Sequence, residues 1–261
     1  MFTLFLILAV LAAMVAGAVL AAGRFRVDDG ESGGAVGIVV APCVLALYLG
    51  AAAMGVVIGW EGYKGAEDGL MAEVGSAQSL YWSTVALPEH EAEQVRDRLR
   101  DYLGSVVEDD WPAMEAGEGL SAEGDAAYAD LAASVRSLSV SDTGDGLDRL
   151  TARQELNSLG EARLERADAA TEGMPPALTG IAVLSATAVA VLPFAMLKRG
   201  SRAAYFWAGA NLAFVFATIV LLFYVGHPFS GILAHDAGGI EDALAGFDAI
   251  DRALASPMSS Y

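Results

Sequence analysis

The sequence predicts an all-α membrane protein: four transmembrane helices in two hairpins flanking an extramembrane antiparallel helical bundle. Three observations predict it. The 261 residues are 55% hydrophobic and only 18% charged, with mean hydropathy +0.46, whereas a soluble domain carries about 25% charged residues. The apolar residues gather in four uncharged blocks. The long hydrophilic segment between the second and third blocks shows helical periodicity and no run of strand alternation.

The blocks cover residues 2–23, 34–60, 177–197 and 203–226, with no Asp, Glu, Lys or Arg inside any of them. Each has the roughly 20 residues that cross a hydrocarbon core of about 30 Å as a helix. A charge at the bilayer centre costs about 2.5–3.5 kcal/mol or more, so its absence from every block is informative. The first block also resembles a signal peptide, with the stretch Leu20-Ala21-Ala22 offering small residues near its end. No basic residue precedes it and it exceeds a signal core, so it reads as a retained span.

Residues 24–33 and 198–202 join the two hairpins. Residues 61–175 hold 25 acidic and 9 basic residues, a net of −16 in a chain of net −18. The expected organisation is a first transmembrane hairpin at 1–60, an acidic helical domain at 61–175, a second hairpin at 176–231 and an amphipathic tail at 232–261.

Within the acidic domain the second span continues outward, with Leu70, Val74, Ala77 and Tyr81 as its stripe. Pro88 fits the first position of a helix, and Glu89 and Glu91 favour its positive dipole end. Val95, Leu99, Tyr102 and Val106 mark its apolar face, and a loop over 109–120 ends it. A helix over 121–140 presents Tyr128, Leu131, Val135 and Leu138. A third, over 147–171, presents Leu150, Leu156, Leu159 and Leu164 before Pro175 and Pro176 break it. In the tail, Ile240, Leu244, Phe247, Ile250 and Leu254 share one face. Acidic neighbours disfavour an anionic lipid surface for that face, so it is expected to dock on protein.

The chemistry-bearing residues are sparse. One cysteine and three histidines exclude a disulfide framework and a multi-cysteine zinc site. No phosphate loop, HExxH or calcium-loop spacing occurs. Glu108, Asp109 and Asp110 are successive on a helix end and cannot all face one site. No catalytic, cofactor-binding or metal site is expected. The net charge repels nucleic acid. It also suits a surface hydrated at high salt, as in a halophile, or a cation-attracting vestibule.

Cys43, Leu47, Ala51, Gly55 and Gly59 recur every four residues on the second span. Gly55-x-x-x-Gly59 allows close helix approach. The stripe serves packing within one subunit, or Cys43, Leu47, Ala51 and Gly55 line an oligomeric pore with Cys43 and Leu47 as an apolar constriction that gates by dewetting. Asn211 needs a partner inside the membrane, as helix–helix glue or as a pore contact.

Three further stretches resemble the bestrophin-like domain family, membrane proteins related to bestrophin channels. They are Tyr102 with Glu108 to Asp110 and Trp111-Pro112-Ala113-Met114, then Arg163-Leu164 before Pro175-Pro176, then His227-Pro228-Phe229-Ser230-Gly231 after the fourth span. The resemblance implies a homo-oligomeric ion channel, a pentamer in bestrophins, with second spans lining the pore. It implies a cytosolic bundle with both termini inside. The acidic run that follows Pro-Phe in calcium-activated members is absent here, and so is an aromatic neck.

Counting basic residues near the span ends gives the opposite orientation. Arg24, Arg26, Lys198, Arg199 and Arg202 on the short loops outnumber Lys64, Arg163 and Arg166. The margin is narrow, and the rule weakens for long segments, so the cytoplasmic placement is preferred. The resulting reading is a multi-pass plasma-membrane channel partnered by lipid, further copies of itself and small inorganic ions. Its rival is a membrane-anchored sensor or scaffold whose acidic domain binds a partner. An intramembrane enzyme ranks last, since the spans carry no ionisable side chain beyond Cys43 and tyrosines.

Overall fold

A computed structural model describes residues 2–24, 39–138, 145–171, 175–196, 202–230 and 234–255. Every regular element among them is helical: α1 (Phe2–Arg24), α2 (Ala41–Ser83), α3 (Glu89–Ser105), α4 (Trp111–Ala116), α5 (Ala122–Ser137), α6 (Asp145–Thr171), α7 (Pro176–Ala195), α8 (Arg202–Val225) and α9 (Gly238–Ala255). Among the described residues three apolar stretches are long enough to cross a membrane, carried by α2, α7 and α8, and α1 is an apolar helix of 23 residues. The hairpin connections at 25–38 and 197–201 lie outside the described residues.

The chain divides into two compact units, Met1–Glu61 with Met174–Gly226 and Gly62–Gly173 with His227–Tyr261. In the first unit α1 packs on α7 and α8, and α7 on α8. Met14, Tyr48, Ala52, Ala186, Ala190, Val215 and Ile219 form its core. Small residues bring these helices close, the packing device of membrane helices. Ser185 and Thr187 donate to carbonyls of their own helix. Asn211 acts across helices, donating from Nδ2 to the Val189 carbonyl at 3.1 Å. Large outward side chains such as Phe206, Trp207 and Phe214 are about 70% exposed on this chain, as lipid-facing or interface positions are.

In the second unit the outer part of α2, with α3 to α6 and α9, surrounds one core containing Leu70, Leu80, Tyr81, Leu99, Tyr102, Leu131, Leu156 and Phe247. α2 runs unbroken for 43 residues, about 65 Å at 1.5 Å per residue. Pro88 stands one place earlier than expected, as the residue before α3, and accepts from the Ala92 amide at 2.9 Å. The loop expected at 109–120 is mostly helical. A π-turn over Val106–Asp110 leads straight into α4, which ends at Gly117 with φ 80°. The extra residue in that turn rotates Asp110 inward.

Ser121 caps α5, accepting from the Gly124 amide. At the other end of α5, Arg153 donates to the carbonyls of Arg136 and Leu138. The apolar face assigned to α6 is corrected. Leu156 and Leu159 are buried, but Leu150 and Leu164 are 62% and 65% exposed. The inward face instead carries Arg149, Ala152, Leu156, Leu159, Arg163 and Arg166, a 3-4-3-4-3 spacing that keeps them on one side of a helix. α9 lays Ile240, Ala243 and Phe247 into the same core.

Two glycines of opposite character test this packing. A Cβ on Gly124 would collide with the Asp110 carboxylate, whereas one on Gly75, inside α2, would meet nothing within 4 Å. Gly124→Ala is expected to destabilise by about 1–3 kcal/mol through overpacking. Gly75→Ala is expected to stabilise by about 0.5–1 kcal/mol through helix propensity. Thermal unfolding of both variants in detergent checks the opposite signs.

Candidate functional site

The second unit encloses a set of charges that its apolar periodicity conceals. Glu73 lies on α2 among Ala66, Leu70, Ala77 and Leu80, and it is fully buried with them. Arg166 of α6 reaches it through two nitrogens, Nε to Oε2 at 2.6 Å and Nη2 to Oε1 at 3.2 Å. The Tyr102 hydroxyl of α3 donates to the same Oε1. Arg166 Nη2 also reaches Asp110 Oδ2 at 3.0 Å, and Arg163 Nη1 reaches that oxygen at 2.8 Å. The other Asp110 oxygen accepts from the Ser121 amide and hydroxyl at 2.9 and 2.6 Å.

Each member is therefore satisfied, which a buried charge requires. Arg163 continues outward to Asp125 at 2.8 Å and lies over the rings of Tyr102 and Tyr128. Burial by itself would raise the Asp110 carboxyl. The two Ser121 donors and the guanidiniums of Arg166 and Arg163 outweigh it and hold that carboxyl below its ordinary range. Burial, followed by the Glu73 carboxylate, pushes the Tyr102 phenol well above its usual value. The arrangement has the chemistry of a clamp, joining α2, α3, the π-turn, α5 and α6.

Of the motif residues named from the sequence, Trp111 and Phe229 meet in the same unit. Trp111 is buried, and its ring stands edge-on to Phe229 at 5.6 Å and 86°. Phe229 meets His235 at 6.4 Å, and His235 stacks on Tyr63 of α2 at 4.2 Å. His235 Nε2 lies 3.2 Å from the Tyr63 carbonyl, and its amide donates to the Pro228 carbonyl. Pro228 is buried, Pro112 and His227 are exposed, and Gly231 lies outside the described residues. Of the acidic trio only Asp110 turns inward, while Glu108 is exposed.

In the first unit the four-residue stripe divides. Cys43 is exposed and Leu47 is 56% exposed, whereas Ala51, Gly55 and Gly59 are buried. A Cβ on Gly59 would sit 3.0 Å from Val225, so that glycine serves close packing inside the subunit. Among the described residues no group of three or more His, Cys, Asp or Glu is placed to hold a metal ion.

Sequence reasoning passed over Glu73 and Arg149, and it found Arg163 and Asp110 only as parts of motifs. The available signal was a charged residue at a core position of a 3-4 repeat. Glu73 falls three residues after Leu70 and four before Ala77.

Apolar helices long enough to span a bilayer, joined in sequence to a helical domain with a charged clamp, define a helical membrane protein. The chain belongs to the family of the Bestrophin-like domain, whose family model matches residues 4–234. That match covers all the helices that hold the clamp and the Trp111–Phe229 contact, and it relates the chain to bestrophin channels. Comparison with curated proteins and with solved structures finds no match.

Because the Asp110 pKa is lowered on folding, its contribution to stability is complete above the ordinary carboxyl value near 3.9. It is lost as pH falls through the lower folded value. Acid unfolding should therefore begin below about pH 4. Asp110→Asn should remove that acid-dependent component and cost about 3–5 kcal/mol at neutral pH, leaving Arg163 and Arg166 undercompensated. Intrinsic tryptophan fluorescence followed through an acid titration and through denaturant unfolding at neutral pH, in wild type and variant, checks both.

Proposed function

We propose that the chain is a homo-oligomeric ion channel of the plasma membrane in which α2 from each subunit lines a central pathway. The observation that carries this reading is membership in a family related to bestrophin channels over residues 4–234. Supporting it, α2 is a single helix from an apolar half to a polar half. Cys43 and Leu47 face away from their own subunit, where a neighbouring copy or a pore would meet them. Ala51 and Gly55, buried inside the subunit, would then set the position of α2 rather than touch ions. The constriction is apolar, so it would gate by dewetting rather than by charge. The acidic domain, with its surplus of carboxylates, would attract cations to the mouth.

In this reading α1 supplies the fourth span, the acidic domain is cytoplasmic, and further copies of the chain complete the pore. A specific observation keeps the scaffold reading in play. The Gly55–Gly59 part of the stripe is spent within the subunit, as an anchor without a pore also requires.

Cys43 is the sole cysteine, which makes the test direct. Purified protein reconstituted into liposomes should assemble as an oligomer by native mass and pass ions in a flux assay. A charged thiol reagent should reduce that flux severalfold in wild type and leave Cys43→Ser unchanged. A folded oligomer with no flux, or flux indifferent to the reagent, contradicts a pore at this face. For orientation, Asp130→Cys in a Cys43→Ser background should resist an impermeant thiol reagent applied to intact cells. Labelling there would place the acidic domain outside.

A further inference from the structure

α9 is held to the second unit by two different kinds of contact. Ile240, Ala243 and Phe247 are buried while Leu254 is 46% exposed, and Phe247 stacks on Tyr81 at 4.2 Å and 13°. Over that stack lies a polar clasp. Asp251 accepts from the Tyr81 hydroxyl at 2.5 Å and from Arg100 Nη2 at 2.6 Å. Arg100 also reaches Asp248 at 3.6 Å, and Arg96 stands 3.8 Å from Asp251.

Like charges crowd around the clasp. α3 and α9 border an open cleft of about 500 Å³ in which Glu89, Glu93 and Asp97 of α3 join Asp251, with Arg96 and Arg100 beside them. Carboxylates outnumber guanidiniums four to two there. The three α3 acids recur every four residues, so they form one row along the helix. Exposed Asp248 adds to the same sign.

Salt acts unequally on these two sets. The bond at contact distance between Arg100 and Asp251, 27% and 41% exposed, is screened less than charges held apart across water. Repulsion across an open cleft is strongly screened, since the Debye length shrinks from about 10 Å at 0.1 M to about 3 Å at 1 M. Burial of the α9 apolar face is not weakened by added salt.

We propose that α9 is a salt-tightened latch, docked firmly at high ionic strength and loosened at low ionic strength by repulsion between its acids and the acidic row of α3. The contact has the opposite salt response from an ordinary surface ion pair, which salt weakens.

Hydrogen exchange on the full chain in detergent tests this, comparing α9 amides with α6 amides near Arg166. Between 0.1 and 2 M NaCl, α9 protection should rise about fivefold, the scale of a few exposed charge contacts, and α6 protection should change much less. Glu93→Gln with Asp97→Asn should raise low-salt protection of α9 and flatten its salt response. Choline chloride should act as NaCl does. Protection that falls with salt, a rise shared equally by α6, or an effect confined to one cation would overturn the latch. So would an unchanged salt response in the double variant.

Discussion

Arg166 buried between Glu73 and Asp110 is the constraint on which the second unit rests. An arginine at 0% exposure cannot lose its charge and cannot be left unpaired. Its two carboxylate partners come from helices far apart in sequence, so the pairing fixes where α2 and the π-turn stand relative to α6. Tyr102 and Ser121 then use the carboxylate lone pairs that arginine leaves over, which ties in α3 and the start of α5. A hydrophobic core of the same shape could match the stability. It would not impose the same register, because apolar contacts are non-directional and these bonds are not.

The two units solve the polar-group problem by different routes. In the apolar unit, hydroxyls of Ser185, Thr187 and Thr218 return to carbonyls of their own helices, and Asn211 makes one bond to a neighbouring helix. Helices approach closely because Gly59 and several alanines leave room. In the acidic unit the surface is heavily carboxylated, and nine arginines against one lysine supply the planar donors that the interior uses. α2 belongs to both regimes. Its first half is an apolar helix with Cys43 and Leu47 outward, and its second half carries Glu73 into the clamp.

Much of the helical plan was legible because hydrophobic periodicity reports it directly. The apolar blocks, the outer extension of α2, the starts of α3 and α5 and the α9 face from Ile240 to Ile250 follow from spacing and capping signals, whereas Leu254, expected on that face, is exposed. The interior face of α6 was not legible by the same rule. Arg149, Arg163 and Arg166 occupy core positions there, while Leu150 and Leu164 sit outside, so a search for leucines picks the wrong side. Glu73 was hidden for a related reason. In a chain with 33 acidic residues, one more glutamate on a helix reads as surface. Asp110 depends on a π-turn, whose extra residue no simple 3.6-residue pattern anticipates. Trp111 and Phe229 were identifiable only as parts of motifs, and their contact emerges from folding.

The central claim is that Glu73 and Arg166 act as one unit, and a double-mutant cycle measures that most directly. Glu73→Gln, Arg166→Gln and the combined variant would be compared by equilibrium unfolding in detergent. Each single change should cost about 3–5 kcal/mol, and the double should cost far less than their sum, because the remaining partner no longer carries an unmatched buried charge. Additive losses, with no coupling between the two positions, would contradict the clamp.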